Sequence, residues 1–122
     1  MYFLIDEIIV PTRHEKKLLD NIDNFRRLYF KVPGITQVKY LKTTLEAFTK
    51  PGVNVDKPGA ANLTTVDNPA GSYLLLIAFE SKQKFQDYHD NSTLSKQIHQ
   101  KISSYFDDRQ LTIRAALHGN EI

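Results

Sequence analysis

The spacing of apolar residues switches along the chain between a period near two and a period near four, and the switches mark its elements. Tyr2–Val10 is rich in β-branched and aromatic residues and stops at Pro11, which predicts a strand followed by a turn. Thr12, with Glu15 at capping-box spacing, predicts the start of a helix. Leu18, Ile22, Phe25 and Tyr29 then recur at steps of four, three and four, which places them on one helical stripe. Lys31-Val32-Pro33-Gly34 breaks that helix, because Pro lacks the needed N–H and Gly permits a left-handed turn. Ile35–Leu45 reads as a second strand, with Val38 and Tyr40 on one face and Gln37, Lys39 and Leu41 on the other.

The second half repeats this order. Tyr73–Phe79 is a run of seven apolar residues with no alternation, as expected of a strand buried on both faces. The strand is expected to reach Glu80, and Ser81 to cap a helix carrying Phe85 and Tyr88 one turn apart. Asp90-Asn91-Ser92 interrupts the pattern, with Asn91 or Ser92 free to cap a second segment bearing Leu94, Ile98, Ile102 and Tyr105. Asp107-Asp108 ends it. Gln110–His118 then alternates, Leu111, Ile113, Ala115 and Leu117 against Thr112, Arg114 and Ala116. Between the halves, Phe48–Ser72 holds Pro51-Gly52, Pro58-Gly59, Pro69 and Gly71 and reads as a loop of about twenty-five residues. Ala60–Val66 could form a short extra strand within it.

A βαβ unit, a long loop and a second βαβ unit fold as an α+β, ferredoxin-like βαββαβ sandwich: a four-stranded antiparallel sheet with helices on one face. The opposite face would expose apolar residues of Tyr73–Phe79 and Met1–Val10. Burying about 500 Å² of such surface, at about 25 cal/mol per Å², is worth on the order of 12 kcal/mol before association costs. Face-to-face packing of two sheets in a symmetric homodimer is the expected solution.

Composition narrows the function more than it names one. A chain of 122 residues reads as one domain, residues 1–122, with residues 48–72 as a long inserted loop. Net charge is +2, and the adjacent pairs Lys16-Lys17 and Arg26-Arg27 lie beside Glu15, Asp20 and Asp23, a solvated helix face rather than a nucleic-acid patch. The absence of cysteine excludes disulfides, thiolate nucleophiles and Cys-ligated metals. Met1–Val10 carries Asp6 and Glu7, lacks a basic leader and is too short to span a bilayer, so a cytoplasmic location is expected, with neither membrane nor nucleic acid as partner.

Candidate chemistry is sparse. Tyr40, Tyr88 and Arg114 could converge between sheet and helix as polar groups in an apolar ligand pocket. Asp6 and Glu7 are strand neighbours, so one of them must point to a buried side, where a structural ion pair with Arg114 or a lysine is expected. His89 and His99 each fall one step off an apolar stripe and read as solvent-facing. His14 and His118 lie near element ends, where exposed histidines are common. No two histidines stand at ligand spacing, and no phosphate loop, nucleophile elbow or Ser-His-Asp grouping occurs. No metal site and no cofactor are expected.

Val32-Pro33-Gly34-Ile35 before the second strand, the apolar third strand ending Phe79-Glu80-Ser81, and Phe85-x-x-Tyr88 together resemble the stress-responsive dimeric α/β-barrel domain. The resemblance covers nearly the whole chain outside Phe48–Ser72. It implies a ferredoxin-like protomer whose sheet pairs with that of a second copy to close an α+β barrel. Many members have no assigned activity, whereas one plant branch closes polyketide rings with a Tyr–His pair. Tyr88 matches that tyrosine, but the positions of the following His-Pro and second His hold Asn91, Ser92 and Leu94, and Tyr2–Ile5 lacks a further expected His. Leu94 cannot act as a general base. The related haem-degrading monooxygenases usually place a Trp in the pocket, and this chain has none. The resemblance therefore implies a homodimer binding a small apolar or aromatic ligand, without established catalysis. The alternative is a cofactor-independent, cyclase- or monooxygenase-like enzyme for an aromatic or polyketide-like compound, with Tyr88 and His89 as its catalytic residues. A third reading is an interaction module whose Phe48–Ser72 arm reaches across the dimer.

Overall fold

In a computed structural model, the protein is described over residues 1–43, 69–106 and 112–122, with residues 69–72, 112 and 114 described through their backbone alone. The order is β1 (Tyr2–Pro11), α1 (Thr12–Phe30), β2 (Ile35–Lys42), β3 (Pro69–Phe79), α2 (Lys82–Asp90), α3 (Ser92–Ser103) and β4 (Thr112–Asn120). The strands form one antiparallel sheet in the order β2-β3-β1-β4, the ferredoxin-like arrangement expected of two βαβ units. The segment Ala60–Val66, most of the Phe48–Ser72 loop and Asp107-Asp108 lie outside the described residues. That loop was expected to run to Ser72, yet Pro69–Ser72 already belongs to β3, because Val10 and Ile9 of β1 supply partners for Gly71 and Ser72. Proline is tolerated there as the first residue of the strand.

The core forms where the α1 stripe meets one face of the sheet. Leu18, Phe25 and Tyr29 of α1 are buried against Val38 of β2, Tyr73, Leu75, Ile77 and Phe79 of β3, and Tyr2, Ile8 and Val10 of β1. The predicted capping box at Thr12 does not form: Thr12 is already helical, Pro11 occupies the cap position, and no side chain caps the helix. Glu15 instead accepts hydrogen bonds from the Tyr73 hydroxyl at 2.9 Å and the Lys42 ammonium at 3.1 Å, tying α1 to β3 and β2. His14, expected at the surface, is buried one turn before Leu18 and meets the Phe106 ring edge-on at 5.0 Å. Phe106 replaces Tyr105 as the core residue after α3, because the helix ends at Ser103 and the chain turns before them.

Gly34 ends the α1–β2 connection with φ of 90°, the left-handed conformation that L side chains avoid. A Cβ there would lie 2.6 Å from Lys84 Cβ, so α2 packs directly over this turn. Ser81 caps α2 by accepting from the Lys84 N–H at 3.2 Å, and Asn91 caps α3 by accepting from the Leu94 N–H at 3.1 Å. The break at Asn91 turns one amphipathic stretch into two helices, burying Phe85 and Tyr88 from the first and Ile98 and Ile102 from the second.

The predicted face assignment of β4 fails at one point. Glu7 pairs with Ala115, but Ile8 pairs with Ile113, so Arg114 is an extra residue at a bulge. The bulge moves Ile113 to the helix-covered face with Ala116 and His118, while Ala115 and Leu117 stay on the open one. The open face also carries Phe3, Ile5, Leu74 and Leu76, half-buried, and Leu41, 47% exposed. Tyr73–Phe79 is thus fully buried on its helix side and only partly covered on the other by this single chain.

Candidate functional site

Strand parity places Asp6 between Leu4 and Ile8 on the inward face of β1, where it is 7% exposed. Glu7, its neighbour, faces the other side. The described ion pairs do not include Asp6, so the structural pair expected for it with a lysine is not formed among the described residues. The Arg114 side chain lies outside them. Burial without a countercharge raises the Asp6 pKa above the ordinary 3.8.

Asp6 stands at the junction of two chambers between the sheet and the helices. The smaller, about 180 Å³, is bordered by Asp6, Tyr29, Tyr40 and Ile102. The larger, about 390 Å³, is bordered by Asp6, Tyr29, Tyr88, Ser95 and Ala116 and reaches His89 and His118 at its outer end. Tyr29, His99 and Ile113 border both. Each element contributes: α1 brings Tyr29, β2 Tyr40, α2 Tyr88, α3 His99, and the β4 bulge Ile113.

The three phenols are held neutral. Burial drives the Tyr29 pKa well up, and the nearby Tyr40, Tyr88 and Asp6 add to the shift. Tyr40 is raised by burial and by the Asp6 charge. Tyr88 is raised by burial, partly offset by a hydrogen bond to the Ser95 side chain. His99 has its pKa lowered by desolvation, although part of its ring stays in solvent at the chamber mouth. It is exposed, as the one-step offset from Ile98 predicted, and it also borders both chambers.

Of the sequence-predicted site residues, Tyr40 and Tyr88 come together around Asp6, one in each chamber. His89 lies at the outer end of the larger chamber with its side chain 67% exposed, 3.5 Å from Asp90 and 5.8 Å between centroids from the Phe85 ring. His118 is not a bare terminal histidine. Its Nδ1 lies 2.5 Å from the Tyr2 hydroxyl, and its ring stacks on Phe85 at 4.8 Å. Asp6, Tyr29 and His99 also border the chambers; the sequence placed Tyr29 on the α1 stripe and one of Asp6 and Glu7 on a buried side, but named none of the three as a site residue. The available signal was a carboxylate at position six of an inward stripe otherwise made of Tyr2, Leu4, Ile8 and Val10. Among the described residues no group of three or more His, Asp or Glu side chains is placed to hold a metal ion, and no helix is long and apolar enough to cross a membrane.

No protein-family model matches the chain, and no curated protein sequence matches it. Among solved structures, it is similar to the crystal structure of HapK from Hahella chejuensis. The TM-score is 0.57 and the identity 13%, over 100% of this chain and 93% of that one. At this identity the likeness is one of fold. It agrees with the α+β, ferredoxin-like sheet order.

Proposed function

We propose that the protein is a stress-responsive-type α/β-barrel homodimer that binds a small apolar or aromatic molecule between its sheet and helices α2 and α3. The observation that carries this reading is Asp6, a buried carboxyl group bordering a cavity whose inner walls are aromatic and aliphatic, with Ser95, Lys96, His89, His99 and His118 among its polar lining. A site of that make-up holds a ring by burial of its faces and orients it through a few polar groups. Tyr40 and Tyr88 are the ligand-contacting phenols of the two chambers. Arg114, whose backbone stands at the β4 bulge, is proposed as a third contact. Tyr88 with His89 forms the polar end of the larger chamber and is the pair to which the cyclase-like alternative would turn.

Homodimer formation is supported by the open face. Leu117, 67% exposed, Leu41 and the half-covered Phe3, Ile5, Leu74 and Leu76 put apolar residues of all four strands on that face, with Glu7 and Lys39 among them. A second copy of the same face is the occupant whose shape and chemistry match it without further assumption.

Fluorescence titration of 2-naphthol, a two-ring phenol, tests the ligand reading. The wild type is expected to bind it saturably. Ala116→Trp, which places an indole in the larger chamber, is expected to weaken binding on the order of tenfold or more. Equal affinity for both proteins, or no saturable binding to the wild type, would contradict the reading.

A further inference from the structure

We infer that Asp6 is a catalytic base that moves a proton on the carbon beside the carbonyl of an apolar, ring-bearing ketone, with Tyr29 and Tyr40 donating hydrogen bonds to the resulting enolate oxygen. This rests on the cavity being the ligand site proposed above, and it supplies that site with a reaction. A proton-transfer site of this kind requires a largely buried carboxylate bordering a shaped cavity and neutral donors placed where negative charge develops. Asp6 meets the first requirement: it is 7% exposed, borders both chambers, and takes part in no described ion pair. Tyr29 and Tyr40 meet the second, since both border the smaller chamber beside Asp6 and both feel its charge. Burial keeps their phenols protonated, so they remain donors. Tyr88 has its hydroxyl engaged by Ser95 and serves as a wall of the larger chamber.

The step balances without a co-reactant. The Asp6 carboxylate takes the proton from the α-carbon. The C–H electron pair becomes the new C=C bond, and the carbonyl π pair moves onto oxygen, where the phenols hold it. The carboxylic acid then either trades its proton with solvent and delivers a solvent proton to the same carbon, giving exchange, or passes the abstracted proton to a conjugated carbon, giving isomerisation. No oxidation state changes. Raising a carboxyl pKa by burial brings its basicity closer to the working pH, which favours this chemistry.

Proton NMR of 2-tetralone in D2O follows loss of its α-proton signals. The wild type is expected to accelerate exchange above the buffer rate at equal pH. Asp6→Asn is expected to slow the protein-catalysed rate by about 100-fold or more. Tyr40→Phe, which removes one donor and leaves the carboxylate in place, is expected to slow it by about tenfold or more. Thermal melts establish that each variant folds, and Tyr40→Phe carries the test should Asp6→Asn not fold. Exchange at the wild-type rate in either folded variant would overturn the proposal. Saturable 2-naphthol binding by a wild type that does not accelerate exchange would overturn proton transfer alone, whereas the absence of both would overturn the ligand site with it.

Discussion

At the residue scale, the behaviour of Asp6 follows from where strand parity puts it. Tyr2, Leu4, Ile8 and Val10 share its face, and each of them is in contact with the core, so a carboxyl group at the sixth position must lose water. Its pKa is raised by that desolvation, which means that the folded protein retains a proton that the unfolded chain releases at 3.8. The linkage then has a definite sign. Stability from this group is fully present below 3.8 and is lost as pH rises through the raised folded value. Asp6→Asn removes the charged form and is therefore expected to melt at a higher temperature than the wild type at neutral pH, with the difference closing as the pH falls towards 3.8. Melting curves at several pH values check this. A variant less stable at neutral pH would mean that the carboxylate is compensated in the folded chain. Glu15 behaves in the opposite sense. Hydrogen bonds from Tyr73 and then Lys42 lower its pKa below 4.5, so its contribution is present above 4.5 and lost as the pH falls through the lowered value; the Tyr73 phenol is pushed up to about 12 by burial first and by its bond to Glu15 second.

At the scale of elements, the turn at Gly34 couples the two halves of the fold. Its carbonyl accepts from the Glu80 N–H at 2.8 Å, and Lys84 Cβ occupies the space where a side chain would go. Gly34→Ala is expected to cost about 1–2 kcal/mol from the left-handed backbone alone, with a further loss from the displacement of α2. Chemical denaturation measures it, and a cost near zero would contradict the packing described. The Pro33-Gly34 stop, the Ser81 and Asn91 caps and the α1 stripe were all legible in the sequence, because each depends on local backbone chemistry or on a regular period. The bulge in β4 was not. Gln110–His118 alternates without a flaw, and only the pairing of Ile8 with Ile113 reveals that Arg114 is the inserted residue. Glu15 was misread for a related reason: its spacing from Thr12 fits a cap, but its partners, Tyr73 and Lys42, are remote in sequence. The site was half legible. Tyr40 and Tyr88 follow from strand parity and helical spacing, whereas the meeting of Tyr29, Asp6 and His99 depends on how α1, β1 and α3 pack together.

At the scale of the whole molecule, the sheet has one face packed against α1, α2 and α3, except along β4, and one left open. The run Tyr73–Phe79 is the clearest instance: Tyr73, Leu75, Ile77 and Phe79 are buried beneath the helices, while Leu74 and Leu76 are only half covered. Sedimentation velocity at micromolar concentration is expected to give a dimer for the wild type. Leu117→Asp is expected to give a folded monomer, because the charge would be buried in the proposed interface. A monomeric wild type would contradict the second-copy assignment and leave the cavity on the opposite face untouched. The ligand site makes the more consequential claim, and a crystal structure of the protein with 2-naphthol tests it most directly. The naphthol rings are expected in the space between the sheet and helices α2 and α3, with the hydroxyl oxygen within hydrogen-bond distance of Asp6 or Tyr40. A cavity filled by collapsed side chains, or naphthol bound only outside it, would contradict the account.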